Sequence, residues 1–141
     1  MNKISLIIPG SPIAKKRPRF FRRGNFTGAY NPQETEEGRF MWEVKSRLPE
    51  DFKIIPQGTP LFLQCIFCFP IPKSASKKQQ ELMKINSLKH TKKPDTDNCL
   101  KFVKDCLNSL VWHDDSQVYK VEAWKEYTDH PHTLIRIEEA V

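Results

Sequence analysis

The sequence predicts one compact α+β domain in which a mixed β-sheet is packed by helices. Three observations lead there. Apolar residues alternate with a period of two at Lys3 to Pro9, Leu61 to Phe69, Gln117 to Tyr127 and Thr133 to Glu138, the pattern of strands. In Asn31 to Leu48 and Asp97 to Leu110 they recur every three or four positions, the period of a helix. The 141 residues suffice for one domain that buries about two-thirds of its unfolded surface, so residues 1–141 are expected to form a single unit.

In chain order, Ile4, Leu6 and Ile8 share one face of the first strand, and Pro9-Gly10 ends it. Ser11 to Ala29 is expected to be a loop that is mobile without its ligand, rich in Arg, Lys and Gly and broken by Pro12 and Pro18. Its basic side chains, Lys15, Lys16, Arg17 and Arg19, suit phosphates, whereas Phe20, Phe21 and Phe26 are expected to anchor the loop on the core rather than stack on bases. Asn31, Pro32 and Glu34 spell an N-cap, a first-turn proline and a partial capping box. They open a helix with an apolar stripe of Phe40, Val44 and Leu48, weakened at Gly38 by about 1 kcal/mol relative to alanine and closed by Pro49. Leu61 to Phe69 is apolar on both alternating faces, which predicts a central strand covered on both sides. Ser74 or Ser76 then caps a short helix whose Lys77, Lys78 and Lys84 suit a solvated face at least as well as a second phosphate patch.

Lys93 to Val118 carries the most chemistry. After Pro94, the side chains of Asp95, Thr96 and Asp97 are placed to cap a helix start. Leu100, Val103, Leu107 and Leu110 mark its buried side, and Asp97, Lys101 and Asp105 fall four apart on the opposite side. Asp114 and Asp115 follow Trp112, just before the strand that starts at Gln117. Any one of these aspartates is explained as a cap or as a surface partner of lysine worth about 0.3–0.5 kcal/mol. Together they are two aspartates two apart, a lysine one turn on, and a second acidic pair beyond the helix. Hard divalent cations take several such oxygen ligands. Asp105 and Asp114 are candidates to steady the ligating acids, and Asp105 serves equally as a surface partner of Lys101. Tyr119, Val121 and Ala123 alternate with Lys120, Glu122 and Glu126. Asp129-His130-Pro131 is turn chemistry, and a closing strand through Ile135 and Ile137 completes an expected terminal hairpin. His130 and His132 in that turn are expected to face water, and His113 ranks below Lys101 as a catalytic group.

A formal net charge of +6 favours an anionic partner, and residues 1–33 contain Lys3, Lys15, Lys16, Arg17, Arg19, Arg22 and Arg23 with no acid. Lys89, Lys92 and Lys93 add positive charge directly before Asp95. Nucleic acid is the expected partner. No apolar run approaches the roughly 20 residues that cross a bilayer, and no secretory signal is evident, so a cytoplasmic protein with no membrane association is expected. Cys65 and Cys68 have zinc-ligand spacing, but residues three apart on a strand face opposite ways. Buried reduced thiols are therefore expected for Cys65, Cys68, Cys99 and Cys106.

Lys93-Pro94-Asp95-x-Asp97-Asn98-x-x-Lys101, then Asp105, then Trp112-x-Asp114-Asp115-x-Gln117-Val118, resembles the RusA family of Holliday junction resolvases, endonucleases of bacteria and their phages. The Lys15-x-Arg17-Pro18-Arg19 segment, Tyr30-x-Pro32 and the two closing strands are similar to its phage and Gram-positive members, so the likeness covers most of the chain. The resemblance implies that Asp95, Asp97 and Asp115 bind the catalytic metal, Mg²⁺ with Mn²⁺ as a substitute, and that Lys101 is required. Lys15, Lys16, Arg17, Arg19 and Lys93 are the expected nucleic-acid contacts. It also implies a homodimer that cuts four-way DNA junctions in recombination and repair. Two alternatives stand beside it: a non-catalytic accessory protein that binds branched DNA, and a nuclease of the same chemistry acting on forks or flaps.

Overall fold

The structure, a computed structural model, describes residues 3–140. In chain order the elements are β1 (Lys3–Pro9), β2 (Arg19–Arg23), β3 (Phe26–Tyr30), α1 (Glu34–Arg47), β4 (Leu61–Pro70), α2 (Lys77–Lys84), α3 (Thr96–Leu107), a 3₁₀ turn (Asp115–Gln117), β5 (Val118–Thr128) and β6 (His132–Glu139). Strands β1, β6, β4 and β5 form one mixed sheet in that order, with β4 parallel to β5 and the other pairs antiparallel. This is the α+β domain that the periodicities predict.

The sheet turns one face to the helices. Leu61, Leu63, Cys65, Phe67 and Phe69 of β4 join Ile4, Leu6, Ile8, Ile135 and Ile137 against Phe40 and Val44 of α1 and the inner side of α3. The Phe40 and Phe102 rings meet edge to face at 5.3 Å, an arrangement that brings the positive rim of one ring to the negative face of the other. Trp112 is fully buried, and its indole Nε1 donates to Asn108 Oδ1 at 2.7 Å, fixing the turn that leaves α3. All four cysteines are buried free thiols. Burial pushes Cys65 and Cys106 up to about 12 and Cys68 and Cys99 to about 11, so they stay protonated at neutral pH.

Several expectations are corrected. Strands β5 and β6 do not form a terminal hairpin, because β4 lies between them. The Asp129–Pro131 connection crosses two inter-strand spacings of about 4.8 Å, a distance that a few extended residues reach, so a short link does not require adjacent strands. Strand β4 is central but not covered on both sides: Phe62, Gln64 and Ile66, on the face away from the helices, are only half-buried. The Ser11 to Ala29 loop ends at Pro18. A hairpin follows, β2 pairing with β3 across the Gly24-Asn25 turn, where Gly24 takes a φ of +59° that suits glycine. Its aromatic rings do not anchor on the core, since Phe20 is 76% and Phe26 63% exposed.

Helix α1 starts at Glu34, not at Pro32. Asn31 Oδ1 accepts from Gln33 N at 2.9 Å and so closes a turn instead of capping the helix. Helix α2 opens on Ser76 in a full capping box with Gln79. The buried side of α3 is centred on Cys99, Phe102, Val103, Cys106 and Leu107, with Leu100 and Leu110 at its margin.

Candidate active site on helix α3

Asp95 ends the approach to α3 as its N-cap, with Oδ1 accepting from Asn98 N at 3.1 Å. That bond uses one oxygen of the carboxylate and satisfies one of the free amides at the helix start. Asp97 lies in the first turn and is exposed. Lys101 follows one turn later, also exposed, and forms no ion pair among the described residues. The segment before the helix is tied to the sheet: Lys125 Nζ of β5 donates to Lys92 O at 2.7 Å and Pro94 O at 3.1 Å. These bonds set where Lys93 and Asp95 stand.

The acidic corner after α3 divides its duties. Asp114 caps the 3₁₀ turn, its Oδ2 accepting from Ser116 N at 3.0 Å, and the Ser116 hydroxyl together with this amide holds its carboxyl below the usual range. Asp115 faces α3, with Oδ2 4.0 Å from Lys104 Nζ. Lys104 is seven residues beyond Asp97, so Asp97, Lys101 and Lys104 lie along one side of the helix. Asp95 and Asp97 stand at the start of that side, and Asp115 meets the helix at Lys104, in its last turn. Among the described residues, no three His, Cys, Asp or Glu side chains come together closely enough to hold a metal ion by themselves.

Gln117 fixes this corner from beneath. It is buried, with Oε1 accepting from His113 N at 3.0 Å and Asp114 N at 3.2 Å, and Nε2 donating to Pro56 O at 2.9 Å and Thr59 O at 3.2 Å. It thus belongs to the site's support, and β5 begins only at Val118.

The basic N-terminal segment reaches the same helix. Lys15 N donates to Asn98 O at 2.9 Å, and Lys15 Nζ lies 3.0 Å from Glu37 and 3.3 Å from Asp105. Burial opposes its charge, but the two carboxylates outweigh burial and raise its pKa above the ordinary value. The ammonium of Lys15 is therefore committed within the protein, and Asp105 pairs with it and not with Lys101. Lys16, Arg17 and Arg19 are exposed, as is Lys93 beside Asp95, and the one ion pair of the Lys16 ammonium among the described residues is a long 3.8 Å contact with Glu36. Lys77, Lys78 and Lys84 are exposed on α2.

The family model of "Endodeoxyribonuclease RusA" matches residues 9–138, which include every one of these groups. The chain belongs to the RusA family. It is also 32% identical to the uncharacterized protein YqaN of Bacillus subtilis (strain 168), over 99% of this chain and 98% of that protein. The RusA match spans the strap of Lys15, the start of α3 and the acidic corner, so they lie within one family unit.

Sequence reasoning passed over Lys104, Lys125 and Gln33. Lys104 was legible as the next position along the Asp97 and Lys101 side of α3. Lys125 carried no local signal, because its partners are backbone carbonyls more than thirty residues away. Gln33 is fully buried, donating to Ala14 O at 2.7 Å and accepting from Lys16 N at 2.6 Å, and a lone glutamine at a helix start gives no hint of that role.

Proposed function

We propose that this chain is a cytoplasmic Mg²⁺-dependent, structure-selective endodeoxyribonuclease that resolves four-way DNA junctions by paired phosphodiester cleavage, in recombination and repair. The observation that supports this reading is a RusA chain in which Asp95, Asp97 and Lys101 open α3, Asp115 faces the same helix at Lys104, and an acid-free basic segment docks on that helix. The donors are carboxylates, exposed at Asp95 and Asp97 and half-buried at Asp115, which suit a hard cation that keeps several waters and takes one or two carboxylates plus a substrate phosphate. They fit Mg²⁺, and Mn²⁺ prefers the same ligands. When bound there, the ion supplies positive charge to the scissile phosphate and an activated water.

The remaining steps belong to side chains. Lys16, Arg17, Arg19 and Lys93 hold phosphates flanking the cut, while Lys15 fastens the strap that carries the first three. Water attacks phosphorus, and the bond to the leaving sugar oxygen breaks. Lys101 faces the negative charge that grows on the non-bridging oxygens, an interaction stronger in the transition state than in the ground state. Asp97→Asn removes a negative ligand while keeping the shape of the side chain. Cleavage of a labelled four-way junction should fall by at least about a hundredfold in this variant, with junction binding in chelator retained. Metal-dependent cutting near the wild-type rate by Asp97→Asn would remove the assignment; binding without any cut by the wild type would support the accessory-protein reading.

Paired cuts call for two sites related by a two-fold axis. The sheet face away from the helices suits a second copy. Ile7, Leu134, Ile66 and Trp124 stand directly opposite one another across all four strands. Around this apolar row lie Lys3, Lys120 and Arg136 with Glu122, Glu126 and Glu138, a balanced set in a chain of net charge +6. A charge-balanced face pairs with its own copy without net repulsion and gains little from nucleic acid.

A further inference from the structure

The hairpin of β2 and β3 stands outside the four-stranded sheet, and all of its residues except Gly28 are exposed. One of its faces carries a cluster of rings. Phe21 lies 6.1 Å from Phe26 and 6.5 Å from Tyr30, centroid to centroid. It rests directly over Gly28, where a Cβ would fall 2.5 Å from Phe21 Cζ. Glycine at that position is what lets the ring lie down on the opposite strand. The result is a ledge with Phe26 63% and Tyr30 50% exposed at its sides, so much of two aromatic rings faces water. Arg23 stands 5.9 Å over the Phe21 ring, and Arg19 is paired opposite Tyr30.

The surrounding charge selects the occupant. From Lys16 to Gln33 the chain carries Lys16, Arg17, Arg19, Arg22 and Arg23 and no acid, so the rings sit in a field that attracts anions. An anionic polymer that also offers flat π faces is a nucleic acid with unstacked bases. Intact duplex hides those faces in its stack; a branch point or a single strand exposes them.

We propose that Phe26 and Tyr30, seated on the Phe21–Gly28 ledge, form a stacking platform for unstacked nucleobases, and that this hairpin makes the protein prefer branched or single-stranded DNA over intact duplex. The proposal rests on the nuclease reading for its biological setting, but its test needs no cleavage. Affinity of the full chain is measured in chelator by fluorescence anisotropy for a four-way junction, a single strand and a linear duplex, over a range of salt. A 2-aminopurine at the branch point reports base stacking. Phe26→Ala and Tyr30→Ala should each weaken junction and single-strand binding by about fivefold or more, the lower end for one stacked base. Duplex affinity, the salt slope and the melting temperature should stay unchanged, and the 2-aminopurine response should shrink. Phe26→Leu keeps the apolar contact with Phe21 but has no π face and should lose as much as Phe26→Ala, while Phe26→Trp should restore binding.

Equal losses on junction and duplex, no loss on either, or full retention by Phe26→Leu would each overturn the proposal. So would a fall in binding that tracks dissociation of a dimer in sedimentation, because the ledge would then be a contact between two copies. A protein that stacks bases but never cuts with Mg²⁺ would defeat the nuclease reading alone, so the two fail separately.

Discussion

Lys15 and Lys16 are neighbours in the chain with different surroundings, one held between Glu37 and Asp105 and the other 60% exposed beside Glu36. Their identity as lysines announces positive charge, and only the fold decides which of them is left for a phosphate. The same contrast separates Asp114, a cap, from Asp115, which faces α3. His90 is a residue that local pattern did not mark at all. Its ring stacks on Phe69 at 4.4 Å and lies 4.9 Å from Tyr127, and its Nδ1 is buried with no partner among the described residues. Burial, with help from Lys125 and Lys92, holds its pKa below the ordinary value. The unfolded chain takes up this proton at about pH 6.5, but the native state does not until lower pH. The unfolded state therefore binds more protons as pH falls through about 6.5, and stability is lost in that direction. Melting temperature should drop between pH 7.5 and 5.5, and the drop should be smaller in His90→Phe. An identical drop in the variant would assign the effect to other groups.

At the scale of elements, the strands and helices were legible wherever one face is apolar and the other polar. β1, the stripe of α1 and the start of α3 fall where the periodicity places them. The β2–β3 hairpin was not legible from periodicity, because neither of its faces is buried and so no alternation marks it. Its signal is the Gly24-Asn25 pair at the turn. The buried side of α3 keeps Val103 and Leu107 of the expected stripe but shifts toward Phe102, Cys99 and Cys106, because the two thiols expected to be buried fill that side as small apolar residues. Gln33 joins two elements, since its amide satisfies both Ala14 O and Lys16 N in a site with no exposure. Gln33→Ala leaves both backbone groups short of a partner, and one unsatisfied buried group costs about 1–3 kcal/mol. Denaturant unfolding should show a loss of about 2–4 kcal/mol. Protease sensitivity near Lys16 should rise with it. A loss under about 0.5 kcal/mol would mean that water replaces the amide without penalty.

For the whole molecule, the helices cover one face of the sheet and leave the other half-open, and no helix of the described residues is long and apolar enough to cross a membrane. Pairing partners were beyond sequence reasoning, since alternation shows which residues share a face and not which strand lies alongside; hence the misplaced β6. Of the candidate site, the residue types and the helix that carries most of them were legible, but the orientation of Asp115 toward Lys104 and the support from Gln117 depend on the turn after α3. If the open sheet face joins two copies, Ile7→Lys should shift sedimentation from dimer to monomer without lowering the melting temperature of the monomer, because Ile7 is 57% exposed. An unchanged dimer would place the two-fold contact elsewhere. The central claim is that two such sites cut a branched duplex in step. Its most direct measurement is strand-by-strand mapping of cuts in a synthetic four-way junction, a splayed fork and a linear duplex, with Mg²⁺ and with chelator. The account predicts symmetric, metal-dependent nicks in opposing strands of the junction and an intact linear duplex; cuts of equal rate in all three substrates, or cutting in chelator, would contradict it.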